Sequence, residues 1–137
     1  MKHSKGIDFL IVSFKRLEYI ELAVYSIHKY VDYPYNITII DNGNQMKELN
    51  GLFKKDDLVD VIEGPQNGVW KKEGDGSKNH SAGLTLGMKH TNNEYICFFD
   101  NDAIFLNKWT EHVLPYLDKA FFVSNRMDKG IAREMFM

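Results

Sequence analysis

The sequence predicts an α/β fold, a three-layer sandwich with a mostly parallel central sheet. Three observations carry that prediction. Short apolar runs rich in Ile, Val and Phe alternate with segments of helical period, the order that builds parallel sheets. Three of these runs end in polar residues, as strands do at the ligand-binding edge of open sheets. The length of 137 residues suits one domain, large enough for a core and too small for two.

The first run, 7–14, reads as a buried strand. Leu17, Ile20, Val24, Ile27 and Val31 follow at spacings of three and four, which places them on one helical face. Asp32, Tyr33 and Pro34 stop that helix. A second strand over 36–40 ends in the polar turn Asp41, Asn42, Gly43, Asn44. A short helix over 46–54 and a third strand over 58–62 come next. The stretch 63–78 is irregular and glycine-rich, and loops of that length are often functional. A helix is expected over 79–90, with Leu84, Leu86 and Met88 among its apolar residues. Then come a strand ending at Asp100, a helix over 107–119 and a last strand over 120–124. No internal repeat or linker divides the chain.

Hydrophobic residues make up 44% and charged residues 26%, ordinary for a soluble globular chain. The net charge of −2 argues against nucleic acid as a partner, because phosphate contacts need a basic surface. Lys71, Lys72 and Lys78 form only a local basic patch. Cys97 is the single cysteine, so no internal disulfide and no thiolate metal site is expected. Within an apolar run it reads as a small buried hydrophobe. The polar amino terminus lacks a signal-peptide core, and no window approaches the roughly 20 apolar residues of a membrane span. A soluble, cytoplasmic protein is expected.

The run from Glu94 through Ile96, Phe98 and Phe99 leads directly into Asp100, Asn101 and Asp102. Burial of Ile96, Phe98 and Phe99 in a central strand would hold that end rigid. Two carboxylates one residue apart at the carboxyl edge of a sheet suit a hard cation, Mn²⁺ or Mg²⁺, which usually carries a phosphorylated partner. The Asp-x-Asp tripeptide is weak alone, and a solvated turn capping the next helix competes with it. Its weight comes from the strand before it. Ser13, Phe14 and Arg16 after the first strand, and Asp41 and Asn42 after the second, share the same edge. A base there would stack near Phe14 and bond to Asp41, leaving phosphates to meet the metal at Asp102. Helix capping by Ser13 and Asp41, and a solvated Arg16, are the competing readings. Residues Gly76, Ser77, Lys78, Asn79 and His80 open a helix, whose free N–H groups attract anions. Lys78 adds a charge there, and His80 is a candidate for a phosphate or ribose.

Other chemistries lack their patterns. Gly74-x-Gly76 misses its third glycine and does not follow the first strand, so a dinucleotide loop fails. There is no P-loop, no zinc spacing among the histidines and no Gly-x-Ser-x-Gly.

Taken in order, Ser13-Phe14-x-Arg16, Ile40-Asp41-Asn42-Gly43, Asn67-Gly68 with Asn79-x-x-x-Gly83, and Phe99-Asp100-Asn101-Asp102 resemble the elements of GT-A-fold glycosyltransferases, in particular family 2. The resemblance runs from Ile7 to Trp109. It implies that Asp41 reads a base, most often uracil, that Asp100 holds the ribose or a metal-bound water, and that Asp102 coordinates Mn²⁺ or Mg²⁺. Metal and helix start would stabilise the leaving diphosphate. It further implies a UDP-sugar donor, an acceptor that is a sugar, glycan or lipid-linked, and inversion at the anomeric carbon.

The chain is short for that family. The expectation is one GT-A nucleotide-sugar-binding domain over 1–137, a minimal member whose acceptor half is reduced or missing. Glu111, Asp118, Asp128 and Glu134 are the carboxylates after Asp102, and none matches the family's base, so the catalytic base is unassigned. A homo-oligomer could complete the acceptor cleft. The alternative function is a nucleotide-binding half-domain without transferase activity. A nucleotidyltransferase fits less well, because residues 13–17 lack a glycine-rich loop.

Overall fold

The computed structural model describes residues 3–65 and 75–120. Eight elements follow one another: β1 (Ser4–Ser13), α1 (Leu17–Tyr30), β2 (Tyr35–Asp41), α2 (Met46–Phe53), β3 (Val59–Glu63), α3 (Asp75–Met88), β4 (Asn93–Phe98) and α4 (Thr110–Leu117). The strands form one sheet in the order β3-β2-β1-β4, with every pair parallel. The predicted α/β class is the fold observed. Boundaries agree with the sequence to within a few residues, with two larger differences. Helix α3 opens at Asp75 rather than 79, and the last helix is confined to Thr110–Leu117. Ala120 still donates back to the Tyr116 carbonyl at 2.8 Å, so no strand begins there. The rest of the strand expected at 120–124, the tail 125–137 and the basic residues Lys71 and Lys72 lie outside the described residues.

Both faces of β1 are buried, which is why it reads as a continuous apolar run. Ile7, Phe9 and Ile11 face the larger core, with Ile20, Ala23, Val24 and Ile27 of α1 and Leu49 and Phe53 of α2. Leu10 and Val12 face the opposite layer with Ile40 and Leu84. Helix α3 forms that layer, and it seats on the sheet through glycine. A Cβ on Gly87 would lie 2.9 Å from Ile40 Cδ1, and one on Gly83 3.1 Å from Val12 Cγ2. Close approach of helix to sheet offsets the roughly 1 kcal/mol that each glycine costs inside a helix.

At the amino edge, Asp8 is 4% exposed and clasps the turn before β4. It accepts from the main-chain N–H groups of Asn92 and Asn93, each at 2.8 Å, and from Asn93 Nδ2 at 3.0 Å.

The chain after β4 is anchored by aromatic packing. Phe9 meets Tyr35, Phe99, Phe105 and Trp109 edge-on, with ring centroids 6.0 to 6.2 Å away. Phe99 and Phe105 lie 4.7 Å apart on either side of the Asp100–Asp102 turn. The Phe99 N–H donates to the Leu10 carbonyl at 3.0 Å, and the Phe105 N–H to Ser26 Oγ at 3.0 Å. This corrects the expected cause of rigidity. Ile96 and Phe98 are 39% and 45% exposed, and β4 is an end strand among the described residues. Phe99 is buried as expected, and it holds the turn together with Phe105. Among the described residues, no helix is long and apolar enough to cross a membrane.

Candidate functional site

The strand order reverses between β1 and β4, sequence-distant strands that lie side by side. Ligands of open α/β sheets bind beyond the carboxyl ends at such a point. A cavity of about 220 Å³ lies there, lined by Val12, Phe14, Asn42, Gly76, His80 and Asn101. Four of these, Phe14, Asn42, His80 and Asn101, are residues that the sequence singles out. Drug-sized pockets run roughly 300–1,000 Å³. The cavity is smaller than that range, and the turn carrying Asp100 and Asp102 is exposed next to Asn101 in its wall.

The two loops framing the cavity are tightly wound. Lys15 and Arg16 after β1, and Asn44 after β2, have φ of 57°, 57° and 58°. They are the positive-φ residues other than glycine among those described, and such conformations gather at ligand clamps. Asp41 organises the second loop. It is fully buried, and its Oδ1 accepts from the Gly43 N–H at 2.8 Å and its Oδ2 from the Gln45 N–H at 2.6 Å. Asp41 thus braces its own turn and does not cap α2, whose N-cap is Gln45. Each oxygen retains a further lone pair.

Ser13 is fully buried, and its main-chain oxygen accepts from the Asn42 N–H at 2.8 Å. Ser13 Oγ, Asn42 Oδ1 and Asn79 Nδ2 find no hydrogen-bond partner among the described residues. Gln45 Oε1 and Trp109 Nε1 share that state, and in a native fold such atoms are few. Asn79 is buried behind the cavity and reaches it through Asn42, whose Nδ2 donates to the Asn79 carbonyl at 2.9 Å. Lys78 is exposed in the first turn of α3. Arg16 turns away, with its guanidinium 5.6 Å from the Tyr19 ring centroid and 3.8 Å from Glu18. Its geometry is that of a solvated helix start. Val12 as a wall and Gly64 as a spacer were not foreseen. The Gly64-Pro65 pair after the third strand was the signal for the latter.

Asp100 and Asp102 are exposed, and the Ala103 N–H closes their turn onto the Asp100 carbonyl at 3.1 Å. No group of three or more His, Cys, Asp or Glu side chains gathers to hold a metal among the described residues. Two carboxylates in an open turn still fit Mg²⁺ or Mn²⁺. Such ions are commonly held by one or two carboxylates, with water and substrate phosphates completing the shell.

A parallel α/β sheet with a cavity beyond its carboxyl edge, at the reversal of strand order, has the arrangement in which open sheets bind ligands. The sequence profile of glycosyl transferase family 2 matches residues 8–133, and the chain belongs to that family. Among solved structures it is similar to S. aureus TarS, at 13% identity over 83% of this chain and 20% of that one, with a TM-score of 0.60. It is also similar to S. aureus TarS 1–349, at 14% identity over 93% of this chain and 38% of that one, with a TM-score of 0.63. For TarS 1–349 in complex with UDP the values are 12%, 93% and 38%, with a TM-score of 0.62. These likenesses are likenesses of fold. The chain spans 20% to 38% of these three solved chains. No curated protein is similar enough in sequence to be matched.

Proposed function

We propose that this chain forms the donor-binding domain of a metal-dependent glycosyltransferase that takes a UDP-sugar and transfers the sugar, with inversion, to a sugar, glycan or lipid-linked acceptor. The observation that carries this reading is the cavity between α3 and the ends of β1 and β2, flanked by the clamped Asp100–Asp102 turn. Family membership and the UDP in a structural neighbour support it.

Phe14 offers a ring for a base to stack on, and Asp41 fixes the loop beside it. His80 supplies a polar group from α3, beside the part of the cavity wall that Asn42 forms. The first turn of α3, with Lys78, favours an anionic diphosphate through its N–H groups and charge. Asp100 and Asp102 would hold the Mn²⁺ or Mg²⁺. When bound, that ion would act as a Lewis acid on the departing diphosphate.

Titration calorimetry of UDP, GDP and dTDP, each with Mn²⁺ and again with EDTA, tests the site. Metal-dependent binding of UDP is expected, and binding of none of the three would reduce the reading to one of fold. Asp102→Ala should abolish the metal-dependent affinity and leave the unfolding temperature unchanged, because its side chain is exposed. An unchanged Mn²⁺-dependent UDP affinity in that variant sinks the metal assignment.

A second reading is a nucleotide-binding unit without turnover of its own. Release of sugar from the donor, with and without an acceptor panel, separates the two.

A further inference from the structure

Three elements of the carboxyl edge meet at Asn42. Its Nδ2 donates to the Asn79 carbonyl at 2.9 Å and so ties the end of β2 to α3. Its Oδ1 packs against Gly64, where a Cβ would stand 2.0 Å away. Gly64 in turn donates its N–H to the Asp41 carbonyl at 2.9 Å, which joins the chain leaving β3 to the same point. Gly83, one turn along α3 from Asn79, closes on the amide as well, since a Cβ there would lie 3.2 Å from Asn42 Nδ2. The side chain is 1% exposed yet forms part of the cavity wall.

Asparagine meets this geometry and aspartate does not. The two have nearly the same shape, but the Asn79 carbonyl needs a donor opposite it, and a carboxylate offers only acceptors. Glycine at 64 is equally specific, because any side chain there collides with Oδ1.

We infer that Asn42 is the positioning residue of the nucleotide site. Its contacts with Asn79 and Gly64 set the gap between the first turns of α3, which carry Gly76 and His80, and the sheet edge, which carries Phe14 and Asn101. A ligand that touches both walls binds well only when that gap is fixed, since a site held loosely must be ordered on binding. The inference rests on the nucleotide-sugar reading for the identity of the ligand. The interlock itself stands apart from that identity.

The test compares Asn42→Asp with Asp8→Asn, which loosens the clasp at the opposite edge. Two quantities are measured on each: affinity for UDP with Mn²⁺, and amide exchange at residues 77–81. Asn42→Asp is expected to weaken UDP by about tenfold, the equivalent of one lost hydrogen bond, and to speed exchange at 77–81. Asp8→Asn is expected to lower the unfolding temperature while keeping UDP affinity within about twofold of the original. Gly64→Ala, which drives a methyl onto Oδ1, should reproduce both effects of Asn42→Asp. If Asn42→Asp does not fold, Asn42→Ala and Gly64→Ala are read by the same two measurements. Unchanged exchange at 77–81, or a loss of affinity no greater than that of Asp8→Asn, overturns the inference. If the original chain binds no nucleotide, the nucleotide reading fails and the exchange data alone decide the interlock.

Discussion

Asp41 and Asp102 are both carboxylates at strand ends, and their surroundings give them opposite roles. Asp41 is buried with each oxygen on a main-chain N–H, so its removal should be felt in stability. Asp41→Asn turns an amide donor toward one of those N–H groups. It is expected to lower unfolding free energy by about 1–3 kcal/mol, read from urea denaturation. A loss under about 0.5 kcal/mol, the usual range for surface substitutions, would contradict a structural role for these turn contacts. Asp102 is exposed, so its loss should register in ligand binding alone. Cys97 fits the same logic of environment. The residue is half-buried, and desolvation of its thiol pushes it up to about 12, which keeps it protonated at neutral pH.

Helices show where packing overrides propensity. In isolation, glycine-to-alanine at 87 would favour α3 by about 1 kcal/mol. In place, the added Cβ would lie 2.9 Å from Ile40 Cδ1 and 3.3 Å from Leu10 Cδ1. Overpacking of that kind costs about 1–3 kcal/mol. Gly87→Ala is therefore expected to lower the unfolding temperature, and a rise in thermal melts would show that α3 can lift from the sheet.

The seat of α4 carries a pH signature. A hydrogen bond from Thr110 holds the Asp32 carboxyl below its ordinary value of 3.8, and Lys108 adds to the effect. A carboxyl with a depressed folded-state pKa contributes stability above its unfolded value. That contribution is lost as pH falls through the lower, folded value. Acid unfolding of the original chain and of Thr110→Val should therefore differ above pH 3.8 and converge well below it.

At the scale of the whole molecule, the topology chooses the site. Neighbouring β1 and β4 brings loops far apart in sequence, after Ser13 and after Phe98, to one edge. The crossover through α3 then places the start of that helix over the same edge. A ligand bridging α3 and the sheet would stabilise the fold by mass action, by about 2.7 kcal/mol at a hundredfold excess over its Kd. UDP with Mn²⁺ is accordingly expected to raise the unfolding temperature, and EDTA to remove the increase. No shift at saturating nucleotide would count against a ligand held between these layers.

The α/β class, the order of the described elements and most of the residues lining the cavity are legible in the sequence. Periodicity and polar strand ends are local properties, so Phe14, Asn42, His80 and Asn101 could be named before any fold was known. Tertiary structure alone decided how the strand-end residues divide their roles. Nothing in the sequence shows whether Asp41 faces a ligand or its own loop, because that depends on which N–H groups fold back to it. The same holds for Arg16, which resembles a binding residue in the motif yet lies against Tyr19 and Glu18. The Asp100–Asp102 turn is held partly by Phe99 of its own run, as expected, and partly by Phe105 and Ser26, contacts that only packing creates. Gly64 and Asn42 are close in space because parallel strands put their carboxyl ends together. That proximity is a long-range consequence of the sheet, and no spacing along the chain encodes it.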